Sequence, residues 1–202
     1  MNWRQIFQSC VTCKRPFVQE GFLCPFCKKI FELELLRPKH HGFPFHLKSL
    51  VVWTKENELF VRNLVSSFKG EHSKWLWDSM IKEYLVWNRI EAKAEAVIVP
   101  SPGRSNKVDH AYWFACALGR ELDLPVCDSL VLHNQKRAQK GLKRKDRTQR
   151  EMRAKGELFQ EVIFVDDVVT TGATARAAQK ALKYPKSFTV LAFACRPMEK
   201  LV

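Results

Sequence analysis

Short apolar runs alternate with amphipathic stretches along most of the chain. Leu50-Val51-Val52-Trp53, Ala96-Val97-Ile98-Val99, Val162-Ile163-Phe164-Val165 and the runs 126–132 and 188–194 have the length of buried strands. Between them the apolar period lengthens. Leu59, Phe60, Leu64, Val65 and Phe68 form a helical stripe over 57–69, with Gly70 as its stop. Further helices are predicted over 73–87, 109–122 and 174–184. Strands alternating with helices predict an α/β fold, a mostly parallel sheet covered on both faces. Residues 32–46 hold Pro38, His40, His41, Gly42, Pro44 and His46 and predict an irregular linker. Residues 133–155 predict a polar, basic stretch with no element of its own.

The chain has 202 residues, of which 46% are apolar and 11% aromatic. That is enough for one full core plus a small module. We divide it into 1–46, a metal-binding module with its linker, and 47–202, the α/β domain. No basic start followed by a long apolar run reads as a secretory signal. No stretch of about 18 uncharged apolar residues reads as a membrane span. The cytoplasm is the expected compartment. Seven cysteines in a reducing compartment point to metal or free thiols over disulfides.

Four of the seven have metal spacing. Cys10-x-x-Cys13 and Cys24-x-x-Cys27 are separated by ten residues. Two such pairs supply four soft thiolates, the closed tetrahedral shell that structural zinc prefers. Each pair is expected in a tight turn, with Pro25 inside the second. A redox role would explain one pair and not both. Cys116, Cys127 and Cys195 lie in apolar stretches and are expected in the core.

The densest chemistry lies at the end of one predicted strand. Val165 is followed by Asp166, Asp167, Val168, Val169, Thr170, Thr171, Gly172, Ala173 and Thr174. Open α/β sheets bind ligands beyond the carboxyl ends of their strands. A turn of small residues opening a helix aims backbone N–H groups at a phosphate. Thr170, Thr171 and Thr174 add hydroxyls, and Gly172 lets the backbone come close. An acidic pair beside a phosphate makes sense when the ligand also offers hydroxyls or a divalent cation, as a ribose 5-phosphate does. No Walker-type Gly-x4-Gly-Lys-Ser/Thr loop occurs.

This segment resembles the phosphoribosyl-diphosphate motif of type I phosphoribosyltransferases. Gln139-x-Gly141-Leu142 followed by Arg147, the Phe68-Lys69-Gly70 helix end and the four-cysteine module resemble the ComF-type branch of that family. The resemblance implies a type I phosphoribosyltransferase-like domain with a Rossmann-like parallel sheet. It implies ribose hydroxyls on Asp166 and Asp167, and the 5-phosphate on Thr170, Thr171, Gly172, Ala173 and Thr174. It also implies phosphoribosyl diphosphate, carried with magnesium, as a ligand. The loop after Pro100 is shorter than the family's, and Asp109-His110-Ala111 replaces its Asn-Gln-Ala. Ser101, Arg104 and Lys107 are the expected diphosphate contacts. With this loop altered, transferase activity on a nucleobase or amine stays an alternative.

Charge adds a second partner class. Lys+Arg is 34 against 21 Asp+Glu, a net +13. Residues 133–155 hold ten cations against two acids, so eight of the thirteen charges sit in this stretch. Ten cations exceed what one diphosphate needs. Lys136, Arg137, Lys140, Lys143, Arg144, Lys145, Arg147 and Arg150 are therefore expected nucleic-acid contacts, acting by counterion release. Trp53, Trp75, Trp77, Trp87 and Trp113 could stack on bases, although their helical spacing fits a core better. The ComF resemblance implies a role in natural transformation, with single-stranded DNA and other competence proteins as partners.

Overall fold

The computed structural model describes residues 8–17, 21–36, 42–69, 74–87, 90–103, 110–133 and 151–196. Two short strands open them, β1 (Gln8–Ser9) and β2 (Pro16–Phe17), paired antiparallel. Helix α1 (Pro25–Leu36) follows, then β3 (His46–Val52), α2 (Glu58–Ser67), α3 (Lys74–Trp87), β4 (Val97–Pro100) and α4 (His110–Leu122). The chain continues as β5 (Leu130–His133), β6 (Glu151–Ala154), β7 (Glu161–Val169), α5 (Ala173–Ala181) and β8 (Ser187–Cys195).

The main sheet has the order β3-β8-β7-β4, and every pair is parallel. Its strands read as near-continuous apolar runs because both faces are covered. On one face Val61, Leu64, Trp77, Phe114 and Leu118 pack against Ile163, Val165, Leu191 and Phe193. On the other, Ala175 and Ala178 of α5 and Leu182 just after it, with Leu130 and Met152, pack against Val162, Phe164, Val190 and Ala192. The α/β class expected from the periodicity is the class observed.

Three expectations change. The segment 32–46 is not irregular throughout, because α1 runs to Leu36. Its Phe31 and Leu35 are buried, which repays helix formation there. The run 126–132 is not one strand. Val126 makes a single parallel bridge to Ile98 at the edge of the sheet, and β5 pairs antiparallel with β6 instead. Between them Ser129 N–H turns back to the Cys127 carbonyl at 2.9 Å. Finally, β6 lies inside the stretch expected to be featureless. Met152 is buried while Glu151 and Arg153 face solvent. A period of two is hard to see among so many charges.

Two packing features tie the cysteine-rich end to the sheet. Phe68 contacts Phe22, Trp77 and Phe193, with ring centroids 6.1, 4.4 and 4.8 Å away. Cys10, Phe22, Leu23, Phe31 and Leu35 belong to the same apolar cluster as the α2–α4 face of the sheet. Below them, buried Asn57 donates to Glu34 Oε2 and to the Val52 carbonyl, both at 2.8 Å. Its Oδ1 accepts the Thr54 N–H at 2.8 Å, so one amide side chain locks α1 to the end of β3.

Candidate functional site

The four cysteines converge. Cys10 leads into a tight turn that carries Cys13. The second pair lies not in a free turn but across the first turn of α1, with Pro25 as first helical residue. Proline suits that position, since its missing N–H would have no helical partner. The four sulfurs all lie within 4.8 Å of one another. Cys13 Sγ and Cys24 Sγ are 3.7 Å apart. A zinc ion with Zn–S bonds of about 2.3 Å would hold tetrahedral sulfurs about 3.8 Å apart, so the cluster fits that ion. Burial opposes a Cys10 thiolate, yet backbone hydrogen bonds from the Cys13, Cys24 and Thr12 region outweigh it and bring Cys10 down to about 6. Burial and the neighbouring thiols push Cys27 up. A metal here would be structural, because all four positions are filled by protein.

The second site lies at the carboxyl ends of β4 and β7. From β7 the chain crosses to β8 through α5 on one face; from β4 it enters α4 on the opposite face. The gap between β4 and β7 is therefore the topological switch point, where open α/β sheets hold ligands. Ser101 follows β4, donating its N–H to the Val165 carbonyl at 2.8 Å and its hydroxyl to Asp166 Oδ1 at 2.9 Å. Asp166 also accepts the Asp167 N–H at 2.9 Å.

Strand alternation sends the two aspartates to opposite faces. Asp166 is buried and joins Val168, Val169, Thr170, Thr171, Gly172, Ala173 and Thr174 in lining one open hollow. Asp167 turns to the α4 side. Its Oδ2 lies 3.0 Å from His110 Nε2 and 3.2 Å from Lys69 Nζ, while its Oδ1 accepts the Val168 N–H at 2.8 Å. Burial, then the charge of Asp167, pushes the Asp166 carboxyl up to about 7; the Ser101 hydroxyl offsets part of this. Burial also opposes ionisation of Asp167, but the hydrogen bond and charge of His110, then the charge of Lys69, hold it well below the usual carboxylate range.

Gly172 caps α5 with φ +70°, a conformation that costs a side-chain-bearing residue about 1–2 kcal/mol. A Cβ there would lie 2.8 Å from Phe45 Cζ and 3.0 Å from Phe43 Cδ1. These rings stack on each other at 5.4 Å. Glycine is required twice over, by backbone angle and by space. Thr170 and Thr171 are exposed, and Thr171 Oγ1 accepts the Ala173 N–H at 3.4 Å. The first turn of α5 opens at the hollow, where its N–H groups suit an anion.

Of the expected diphosphate contacts, Ser101 is turned to Asp166, while Arg104 and Lys107 lie outside the described residues. So do Lys136, Arg137, Lys140, Lys143, Arg144, Lys145, Arg147 and Arg150, and the Gln139 to Leu142 element. Trp77 is buried, Trp53 and Trp113 are partly so, and Trp75 is 48% exposed. Cys195 is in the core, and Cys116 and Cys127 are half-buried. Sequence reasoning did not single out Lys69 and His110 as site residues. Both lie in stretches compared with the family, Phe68-Lys69-Gly70 and Asp109-His110-Ala111, but neither stretch shows that they meet Asp167 from the ends of two separate helices.

Asp167 is poorly suited to grip a divalent cation directly. Magnesium demands near-octahedral oxygen ligands, and its Oδ2 is already engaged by two nitrogens. Among the described residues no helix is long and apolar enough to cross a membrane. Compared with known proteins, the chain matches no protein-family model. No curated protein matches it either.

Proposed function

We propose that the hollow at the β4–β7 switch point binds a ribose 5-phosphate-type ligand, of which phosphoribosyl diphosphate is the form implied by the motif, and that the chain is a ComF-type protein. One observation carries this reading. A buried carboxylate, held by Ser101 from the neighbouring strand, lines the same hollow as the Thr/Gly turn and the first turn of α5. A diol and a phosphate on one small ligand are complementary to that pair of features. Asp166 would accept from the ribose hydroxyls, and the turn from Thr170 to Thr174 would donate to the 5-phosphate.

The reading is tested by calorimetric titration with phosphoribosyl diphosphate and ribose 5-phosphate. Asp166→Ala with Asp167→Ala should remove binding while the far-ultraviolet circular dichroism stays unchanged. Normal binding by that double variant would disprove the site.

The ComF reading extends to cytoplasmic single-stranded DNA, handled together with other competence proteins. Its support is the cation-rich stretch 133–155. Fluorescence anisotropy with a labelled oligonucleotide should show affinity that falls steeply as salt rises. Absence of binding at low salt would remove DNA as a partner and favour a small-molecule transferase.

A further inference from the structure

Among the described residues, three of the four carboxylate oxygens of Asp166 and Asp167 already accept hydrogen bonds. Asp166 Oδ1 takes the Ser101 hydroxyl, Asp167 Oδ1 takes the Val168 N–H, and Asp167 Oδ2 takes both Lys69 and His110. A divalent cation seeking Asp167 Oδ2 would first have to displace an ammonium and an imidazole. These two groups come from separate places. Lys69 follows the C-terminal end of α2, and His110 is the first residue of α4. The His110–Asp167 contact is not a loose surface pair, since the Asp167 and His110 side chains are only 20% and 21% exposed. Nε2 of His110 can donate to the carboxylate whether the ring is neutral or protonated.

The electrostatic consequence follows directly. An acidic pair without counter-charge would repel any phosphate brought to the neighbouring turn. With Lys69 against Asp167, that repulsion is largely cancelled before a ligand arrives. Lys69 is half exposed and has three N–H donors, more than one contact to Asp167 uses.

We propose that Lys69 and His110 stand in for a divalent cation, so that the site takes a ribose 5-phosphate-class ligand without magnesium. This rests on the ribose 5-phosphate reading above. The role of Lys69 is to neutralise Asp167, and His110 positions that carboxylate.

The test is calorimetric titration of the zinc-loaded full chain with ribose 5-phosphate. Magnesium-free buffer is prepared over a chelating resin, because a free chelator would attack the cysteine cluster. Wild-type affinity should agree within about twofold with and without magnesium. Lys69→Met should keep its melting temperature and lose about tenfold in affinity without magnesium, the scale of one charged hydrogen bond. Added magnesium should restore part of that loss, and Lys69→Arg should bind nearly as wild type. Binding by wild type only when magnesium is present would overturn the inference and leave the ribose-phosphate reading standing. Unchanged affinity of Lys69→Met would overturn it as well. Equal weakening with and without magnesium would make Lys69 an ordinary ligand contact and also overturn it. No binding under either condition would overturn the underlying reading, and this inference with it.

Discussion

The hydroxyl of Ser101 meets the carboxylate of Asp166 at 2.9 Å across the gap between β4 and β7. The bond ties the two strands at the point where their following helices part to opposite faces of the sheet. It also leaves a buried acid with a neutral donor and a charged neighbour, the arrangement that makes its ionisation costly.

That cost predicts a pH dependence. Unfolded, Asp166 releases its proton near the ordinary 3.8; folded, it holds it up to about 7. Between those values folding takes up a proton, so this group makes stability fall as pH rises. Asp167 works in the opposite sense. Its contribution is present above the ordinary carboxylate value and is lost only as pH falls below it. In the neutral range Asp166 therefore dominates the pair. Asp166→Asn should raise the melting temperature relative to wild type, and by more at about pH 8 than at about pH 5. An equal difference at both pH values would show that Asp166 is ionised throughout.

The cysteine cluster shares its apolar packing with the sheet, so metal loss should spread. Cys10→Ser or Cys24→Ser is expected to bring bound zinc from about one ion per chain towards none, measured by plasma mass spectrometry. Unfolding of the whole chain should shift with it, because Phe22 and Phe31 belong to the same cluster as Phe68 and Trp77. Unchanged metal content would refute the four-cysteine site. Metal loss with an unchanged melt would refute the coupling.

Gly172→Ala combines a left-handed backbone with a collision against Phe45. It should destabilise by about 2–4 kcal/mol in urea unfolding. Adding Phe45→Leu should recover the steric part and leave the backbone part. Full recovery would mean that backbone angle contributes nothing.

Asn57→Ala removes three hydrogen bonds, one of them to the buried Glu34. A loss of about 3 kcal/mol is expected in denaturant unfolding. A loss below about 1 kcal/mol would show that water or another donor replaces the amide.

The α/β class, the cysteine cluster and the composition of the acidic turn are legible in the sequence because each is local. An apolar run buried on both faces has no polar interruption to hide it. Two Cys-x-x-Cys pairs sit close enough for a short hairpin and one helical turn to bring them together. Asp166 through Thr174 is one continuous stretch, so strand, acid pair and turn follow from neighbouring residues.

What tertiary structure decides is which distant residues complete the site. Ser101 and Asp166 are 65 positions apart, and they meet because β4 and β7 are neighbours in the sheet. Lys69 and His110 reach Asp167 because α2 and α4 pack on one face and end at the same edge. The strand order and the face each helix takes come from crossovers and core packing, summed over the whole chain. No window of sequence holds that sum. The residues that set the charge of the acidic pair are therefore visible only once the sheet is assembled.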